Sequence, residues 1–230
     1  MKNVDLHLLM NYILQIDTSS ENGIIILSAE GKIIGERRIE DSRSQASTIN
    51  SFIGELMTEA NIVFSSLAAV AVIGGPGSYT GLRIGMATAK GICYAYDLPL
   101  IVHSKLKLLA LQNTNRTGQL GGIIKAREGE FYWTIYEESQ EVISPKHSFE
   151  EEIAGFIFEQ TIAMQFTGEM SEALTELLYQ KGGILVTDVD INTQYWSEEC
   201  QKSYLNETFM SLSYSEPEYL KKPFVISKST

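Results

Sequence analysis

The chain of 230 residues is long enough for one large domain or two lobes, and its 44% apolar and 20% charged residues are those of a folded globular protein. Its 18 basic residues stand against 29 acidic ones, a net charge of −11, and the longest basic runs are the pairs Arg37-Arg38 and Lys221-Lys222. Clustered Lys and Arg are what displace counterions from phosphates, so no direct tRNA binding is expected and any RNA substrate needs a partner to hold it.

The sequence 12–17 (YILQID) reads as a short strand ending in an acidic turn, and 23–27 and 32–39 follow it across tight turns. Three such strands make an antiparallel meander. In 46–60, Ile49, Phe52, Ile53 and Leu56 recur at three- and four-residue spacing, which predicts a helix with one apolar face. The run 68–74 is apolar without alternation, as in a strand buried on both faces. A glycine-rich turn over 75–81 then leads into a predicted helix, 82–96, rich in small residues. Such residues let another helix or a ligand come close to the backbone. With a buried strand at 99–103, the first half reads β-β-β-α-β-α-β.

The second half echoes the first. A hairpin is expected from 122–126 and 130–136, a helix over 149–158, a strand over 164–167, a helix capped by Ser171 and running to Gln180, and a strand over 183–187. Two consecutive α/β lobes suggest a duplicated architecture. We place the first lobe at 12–104, joined by the C-terminal segment 205–230, and the second at 105–204, with residues 1–11 peripheral. The nine residues before Met10 have no place in the meander, and we expect translation to begin at Met10. N-terminal sequencing that found Met1 or Lys2 would dispose of that expectation.

Cys93 and Cys200 form neither a CxxC pair nor a disulfide framework, as expected of reduced thiols. No apolar run approaches the roughly 20 residues of a membrane span, and the N-terminus lacks the order of a signal peptide. A cytoplasmic location is expected.

Chemistry is concentrated in two places. The turn around Gly75, Gly77 and Ser78 leaves backbone N–H groups unshielded before a helix, and can cradle an anion or nucleotide phosphate. It equally suits a tight turn that packs a small-residue helix onto the sheet or another subunit. It is not a Walker loop, because no Lys-Ser/Thr follows its last glycine. Asp17 and Thr18, with Ser19 and Ser20, can organise a metal-bound water or phosphate, or Asp17 can accept hydrogen bonds from its own turn. The three histidines, His7, His103 and His147, form no HxxxH or HExxH pair, so no metal site is expected. His103, ending a buried strand, reads as a satisfied core histidine, and Ser78 has no histidine to activate it.

The segments ILQIDTSS, GGPGSYTGLRIGMATAKGI and KAREGEFYWTIY, in that order, resemble the TsaB family of the threonylcarbamoyladenosine pathway, described as inactive, glycoprotease-like homologues of metal-dependent proteases. The likeness covers most of the first lobe, the hairpin opening the second, and the Pro217-Glu218-Tyr219-Leu220 segment. It departs at Arg43-Ser44-Gln45-Ala46, at Ser51 and at Lys125-Ala126-Arg127, where the family tends to have an RxHS pattern, a proline and an Asp-Ala-Arg run. The resemblance implies a two-lobed α/β fold of the actin/hexokinase/Hsp70-like kind, a duplicated ribonuclease H-like motif. It further implies a non-catalytic dimerisation subunit with no catalytic residue, metal or intrinsic cofactor. Its partners would be the catalytic threonylcarbamoyltransferase paralogue, which holds metal through an HxxxH pair, and an ATPase subunit. A nucleotide at the subunit boundary and a homodimer in isolation belong to the same expectation. The family's contact surface maps onto the two first-lobe helices, with Ile49, Phe52, Ile53, Leu82, Gly85, Met86, Ala89 and Ile92 as the expected interface. The competing reading is a small-molecule kinase or ATPase of the same fold, using Asp17 and the loop around phosphates. A glycopeptidase, the third, fails on the missing ligands.

Overall fold

A computed structural model describes residues 10–113, 118–162 and 164–221. The expected meander is present as β1 (Tyr12–Asp17), β2 (Gly23–Ala29) and β3 (Lys32–Ile39), followed by α1 (Gln45–Glu59), β4 (Leu67–Gly75), α2 (Tyr79–Tyr96) and β5 (Leu100–Ser104). A short helix α3 (Lys105–Leu111) leads to β6 (Gln119–Arg127), β7 (Glu130–Glu137), β8 (Gln140–Phe149), α4 (Glu150–Glu159), β9 (Met164–Gly168), α5 (Glu172–Gln180), β10 (Ile184–Val186) and α6 (Thr193–Leu205).

The first sheet runs β3-β2-β1-β4-β5 and the second β10-β9-β6-β7-β8. In each, an antiparallel meander continues from its first strand into two parallel neighbours. The two lobes therefore share one strand order, down to a third meander strand, β8, that the sequence reading passed over. Its residues include Pro145, which lacks a ladder N–H and sits on an edge.

Alternation along β1 explains how the first sheet is filled. Leu14 and Ile16 join Ile25, Leu27, Val70, Met86 and Ala89 under α1 and α2. Ile13 points the other way, packing with Ile26, Ala71, Ile73, Trp196 and Cys200 under α6. A buried polar contact crosses that second face, where Gln15 Nε2 donates to Ser28 Oγ at 2.8 Å and Ser197 Oγ at 3.1 Å. The helix α6 thus belongs to the first lobe, and the boundary placed at 204/205 moves to just before it. Its buried residues are Trp196, Ser197, Cys200 and Gln201, an apolar stripe too thin to announce itself in sequence. The second lobe has its own core of Ile123, Trp133, Ile135, Phe166, Leu174 and Leu178 under α4 and α5. Ser171 caps α5 as expected, its hydroxyl accepting from the Leu174 N–H at 3.1 Å. Residues 1–9, which include His7 and precede the expected start at Met10, and residues 222–230 of the C-terminal segment lie outside the described residues. Among the described residues, no helix is long and apolar enough to cross a membrane.

Candidate functional site

The first strand delivers Asp17 to a buried turn. Its Oδ1 accepts the Ser19 N–H at 2.7 Å, and its Oδ2 lies 3.5 Å from Lys105 Nζ, with the side chains 5% and 4% exposed. Lys105 Nζ also donates to Ser19 Oγ at 3.2 Å and Ser20 Oγ at 3.0 Å. Lys105 opens α3, directly after β5, in the run KLKLLAL, where it is buried while the second charge, Lys107, is exposed.

The glycine loop is pressed against the same turn. The Ser78 N–H donates to the Ser19 carbonyl at 2.6 Å, and Thr18 Oγ1 donates to the Gly81 carbonyl at 2.7 Å. A Cβ at Gly77 would stand 2.3 Å from the Ser19 carbonyl oxygen, and one at Gly81 would stand 1.9 Å from that of Thr18. These glycines are needed for backbone-to-backbone approach. Ser78 then caps α2, its Oγ accepting the Gly81 N–H at 3.2 Å. Of the two readings of this loop, the geometry supports the tight turn that seats a helix.

The last described segment binds across both lobes. The Glu218 N–H donates to the Gly74 carbonyl at 2.7 Å, and Lys90 Nζ donates to the Ser215 carbonyl at 2.9 Å. Arg83 Nε donates to the Tyr219 hydroxyl at 3.0 Å, its guanidinium 4.0 Å from the Tyr79 ring centre. Beyond them Lys221 pairs with Glu130 of the second lobe, whose carboxylate also holds His147 Nε2 at 2.9 Å. Those two partners hold the Glu130 carboxyl below its usual range, Lys221 more than His147.

Between the lobes lies a cleft of about 520 Å³. Ser19, Gly77, Ser78 and Lys105 line its first-lobe wall, with Lys125 and Tyr132 opposite. A divalent metal on Asp17, one reading of this turn, does not fit: one carboxylate oxygen is taken by the turn N–H and the other faces an ammonium. Among the described residues no three His, Cys, Asp or Glu side chains converge as a metal site. His103 is a core histidine. Its Nδ1 accepts from Trp196 Nε1 at 3.1 Å, leaving Nε2–H to donate to Ser203 Oγ at 2.9 Å, and burial pushes its pKa down to about 4. Burial pushes the Cys93 thiol up to about 11 and raises that of Cys200.

The expected interface residues separate into two groups. Ile49, Ile53, Leu82, Met86 and Ala89 are buried in the first lobe's own core, and a Cβ on Gly85 would meet Thr18 Oγ1 at 2.4 Å. These six therefore cannot present a surface while the lobe is intact. Phe52 and Ile92 are half-buried. The outward face of α2 instead carries Arg83, Ala87, Gly91 and Tyr94, with Tyr94 85% exposed and open space above Gly91. Apolar periodicity locates the buried side of a helix, and the residues it picks out on α1 and α2 fill the lobe's own core.

A family model described as TsaD, tRNA N6-adenosine threonylcarbamoyltransferase, matches residues 36–187, well over half of the chain. The chain belongs to this TsaD-related family. Among curated proteins it is similar to the TsaB proteins. It is 31% identical over 125 residues to the tRNA threonylcarbamoyladenosine biosynthesis protein TsaB of Bacillus subtilis, covering 54% of this chain and 55% of that one. It is 30% identical over 130 residues to the Escherichia coli TsaB, covering 56% of each. The matches span about half the length of these curated relatives. A crystal structure of a Pseudomonas aeruginosa protein with similarity to the peptidase YeaZ superposes with a TM-score of 0.71 at 20% identity, covering 92% of this chain and all of that one. That likeness concerns the fold, and the fold is the two-lobed, actin-like one expected for the TsaD-related family.

Proposed function

We propose that this chain is a non-catalytic subunit that binds and activates the catalytic threonylcarbamoyltransferase paralogue in forming N6-threonylcarbamoyladenosine in tRNA. One observation carries the reading. The glycine motif by which the chain resembles the TsaB proteins is consumed by backbone packing against residues 18–19, and its product is a seated α2 whose outer face exposes Ala87, Gly91 and Tyr94. In a phosphate-handling enzyme of this fold the loop N–H groups and Asp17 would be open to ligand. Here the Ser78 N–H is bonded to Ser19 and Asp17 to Lys105.

The contact surface in this reading is the exposed side of α1 and α2, centred on Ala87, Gly91 and Tyr94, where short side chains admit close helix approach. The same surface pairs with a second copy when the paralogue is missing. The ATPase subunit completes the cytoplasmic assembly, any nucleotide sits at the subunit boundary, and with a net charge of −11 the tRNA is held elsewhere.

Threonylcarbamoylation of tRNA by the cognate catalytic and ATPase subunits, with and without this chain, tests the proposal. Loss of modification on omission, with no activity from the chain alone, supports the subunit reading. Undiminished modification without it brings the kinase or ATPase reading forward. A Gly91→Trp variant should keep the wild-type unfolding midpoint to within about 0.5 kcal/mol, yet lose co-elution with the paralogue in size-exclusion chromatography. Retained co-elution would move the contact off α2.

A further inference from the structure

Three oxygens converge on one buried positive centre at the floor of the cleft. Asp17 Oδ2, Ser19 Oγ and Ser20 Oγ lie 3.5, 3.2 and 3.0 Å from Lys105 Nζ. A carboxylate behind two hydroxyls that line the cleft offers the ligand types of a hard divalent cation, whose remaining positions water fills. The aliphatic stem of Lys105 descends from the first turn of α3, whose residues from Lys105 to Leu111 are almost all buried, so the ammonium has little freedom to leave. Withdrawing it would strand the Asp17 carboxylate, itself 4% exposed, with the Ser19 N–H as its remaining bonded partner.

We infer that Lys105 is a resident cation: its ammonium occupies the position a divalent metal ion would take on Asp17, Ser19 and Ser20, and so keeps the cleft closed to metal. The exclusion follows from charge and space together. A divalent ion at this point would sit against the ammonium with nothing between them, in a setting of low dielectric. The site is latent, and one side chain masks it. Lys125 across the cleft does not contribute, because its ammonium pairs with Glu128 at 3.1 Å.

The inference concerns this chain alone and does not depend on its acting as a subunit. The test is a Mn²⁺ titration of the purified full chain, with free Mn²⁺ followed by electron paramagnetic resonance and folding by circular dichroism. Wild type should take up no Mn²⁺ at the cleft. Lys105→Met should bind one ion with a Kd of about 1 mM or tighter, and Asp17→Asn/Lys105→Met should lose it. Equal uptake by wild type and Lys105→Met would overturn the inference, as would a folded Lys105→Met that binds none. If Lys105→Met does not fold without metal, the double variant decides. Recovery of the fold upholds the need for a cation on Asp17, and failure to recover refutes it. Neither readout involves tRNA or a partner, so this result and the modification assay fail independently.

Discussion

The two lobes have the same strand order and are built to different standards. In the first, α1 and α2 cover one face of the sheet and α6 the other, and Leu14, Ile16, Ile13 and Ile26 are all fully buried. In the second, α4 and α5 cover one face and the short α3 lies on the other, the last strand is three residues long, and Phe158, Tyr179 and Ile184 are each more than half exposed. Topology therefore says little about how tightly a sheet must be enclosed. Close backbone approach occurs in both, since a Cβ on Gly122 or Gly168 would stand 2.2 or 1.8 Å from the carbonyl oxygen of Leu106 or Ile123. What separates the lobes is that Gly77 and Gly81 of one first-lobe loop both meet the turn after β1 carbonyl to glycine, which fixes their residues and their spacing together. The segments that resemble the TsaB proteins fall mostly in the first lobe for that reason.

The difference can be broken on the first-lobe side. Trp196→Ala should cost about 3 to 5 kcal/mol, because it opens the core between α6 and the sheet. The chain has two tryptophans, and Trp133 lies in the second-lobe core, so its fluorescence reports the remaining lobe in the variant. Urea unfolding should show the circular dichroism transition moving to lower urea than the Trp133 transition. Coincident transitions would mean that the lobes unfold as one unit.

A smaller effect comes from His103, which joins α6 to the first sheet through Trp196. Its pKa falls from 6.5 to about 4 on folding, so the unfolded chain binds the proton more readily. Stability from this group is full above pH 6.5 and is lost as the pH falls toward 4, by about 2 kcal/mol at pH 5. Urea midpoints at pH 7 and pH 5 should therefore diverge less in His103→Gln than in wild type. An unchanged divergence would place the acid sensitivity elsewhere.

The smallest effect sharpens the contrast from the second lobe. Gly155 lies within α4, with open space where a Cβ would go. Gly155→Ala should raise stability by about 0.5 to 1 kcal/mol, measured as a higher urea midpoint. A decrease would show that α4 is packed more tightly than its exposed face suggests.

Much of this organisation was legible in the sequence, for identifiable reasons. β1, β3 and the course of α1 and α2 follow from apolar periodicity and turn residues, and the glycine motif located the loop that seats α2. Three elements escaped. The helix α3 is buried nearly all round, so it has no amphipathic signal, and β8 is an edge strand interrupted by Pro145. The helix α6 buries as many polar as apolar residues, because Ser197 and Gln201 share its inner face with Trp196 and Cys200. At the candidate site, Asp17, Gly77 and Ser78 were found from residue type, whereas Lys105 is 88 positions from Asp17 in sequence and only the fold joins them. Most of the residues expected at the interface lie on the inward faces of α1 and α2, since periodicity marks what a helix buries at home.

The return of α6 to the first sheet also has a consequence for synthesis on the ribosome. Proteins commonly acquire structure in the order in which they are made, but here residues 12–104 emerge without the helix that covers one face of their sheet. Ile13, Ile26, Ala71 and Ile73 stay unroofed until Trp196 has left the exit tunnel. The strands and helices of the second lobe, complete by Val186, are translated in the interval. The lobe begun first is thus the one finished last, and a nascent chain halted between them would display an apolar sheet face open to chaperones.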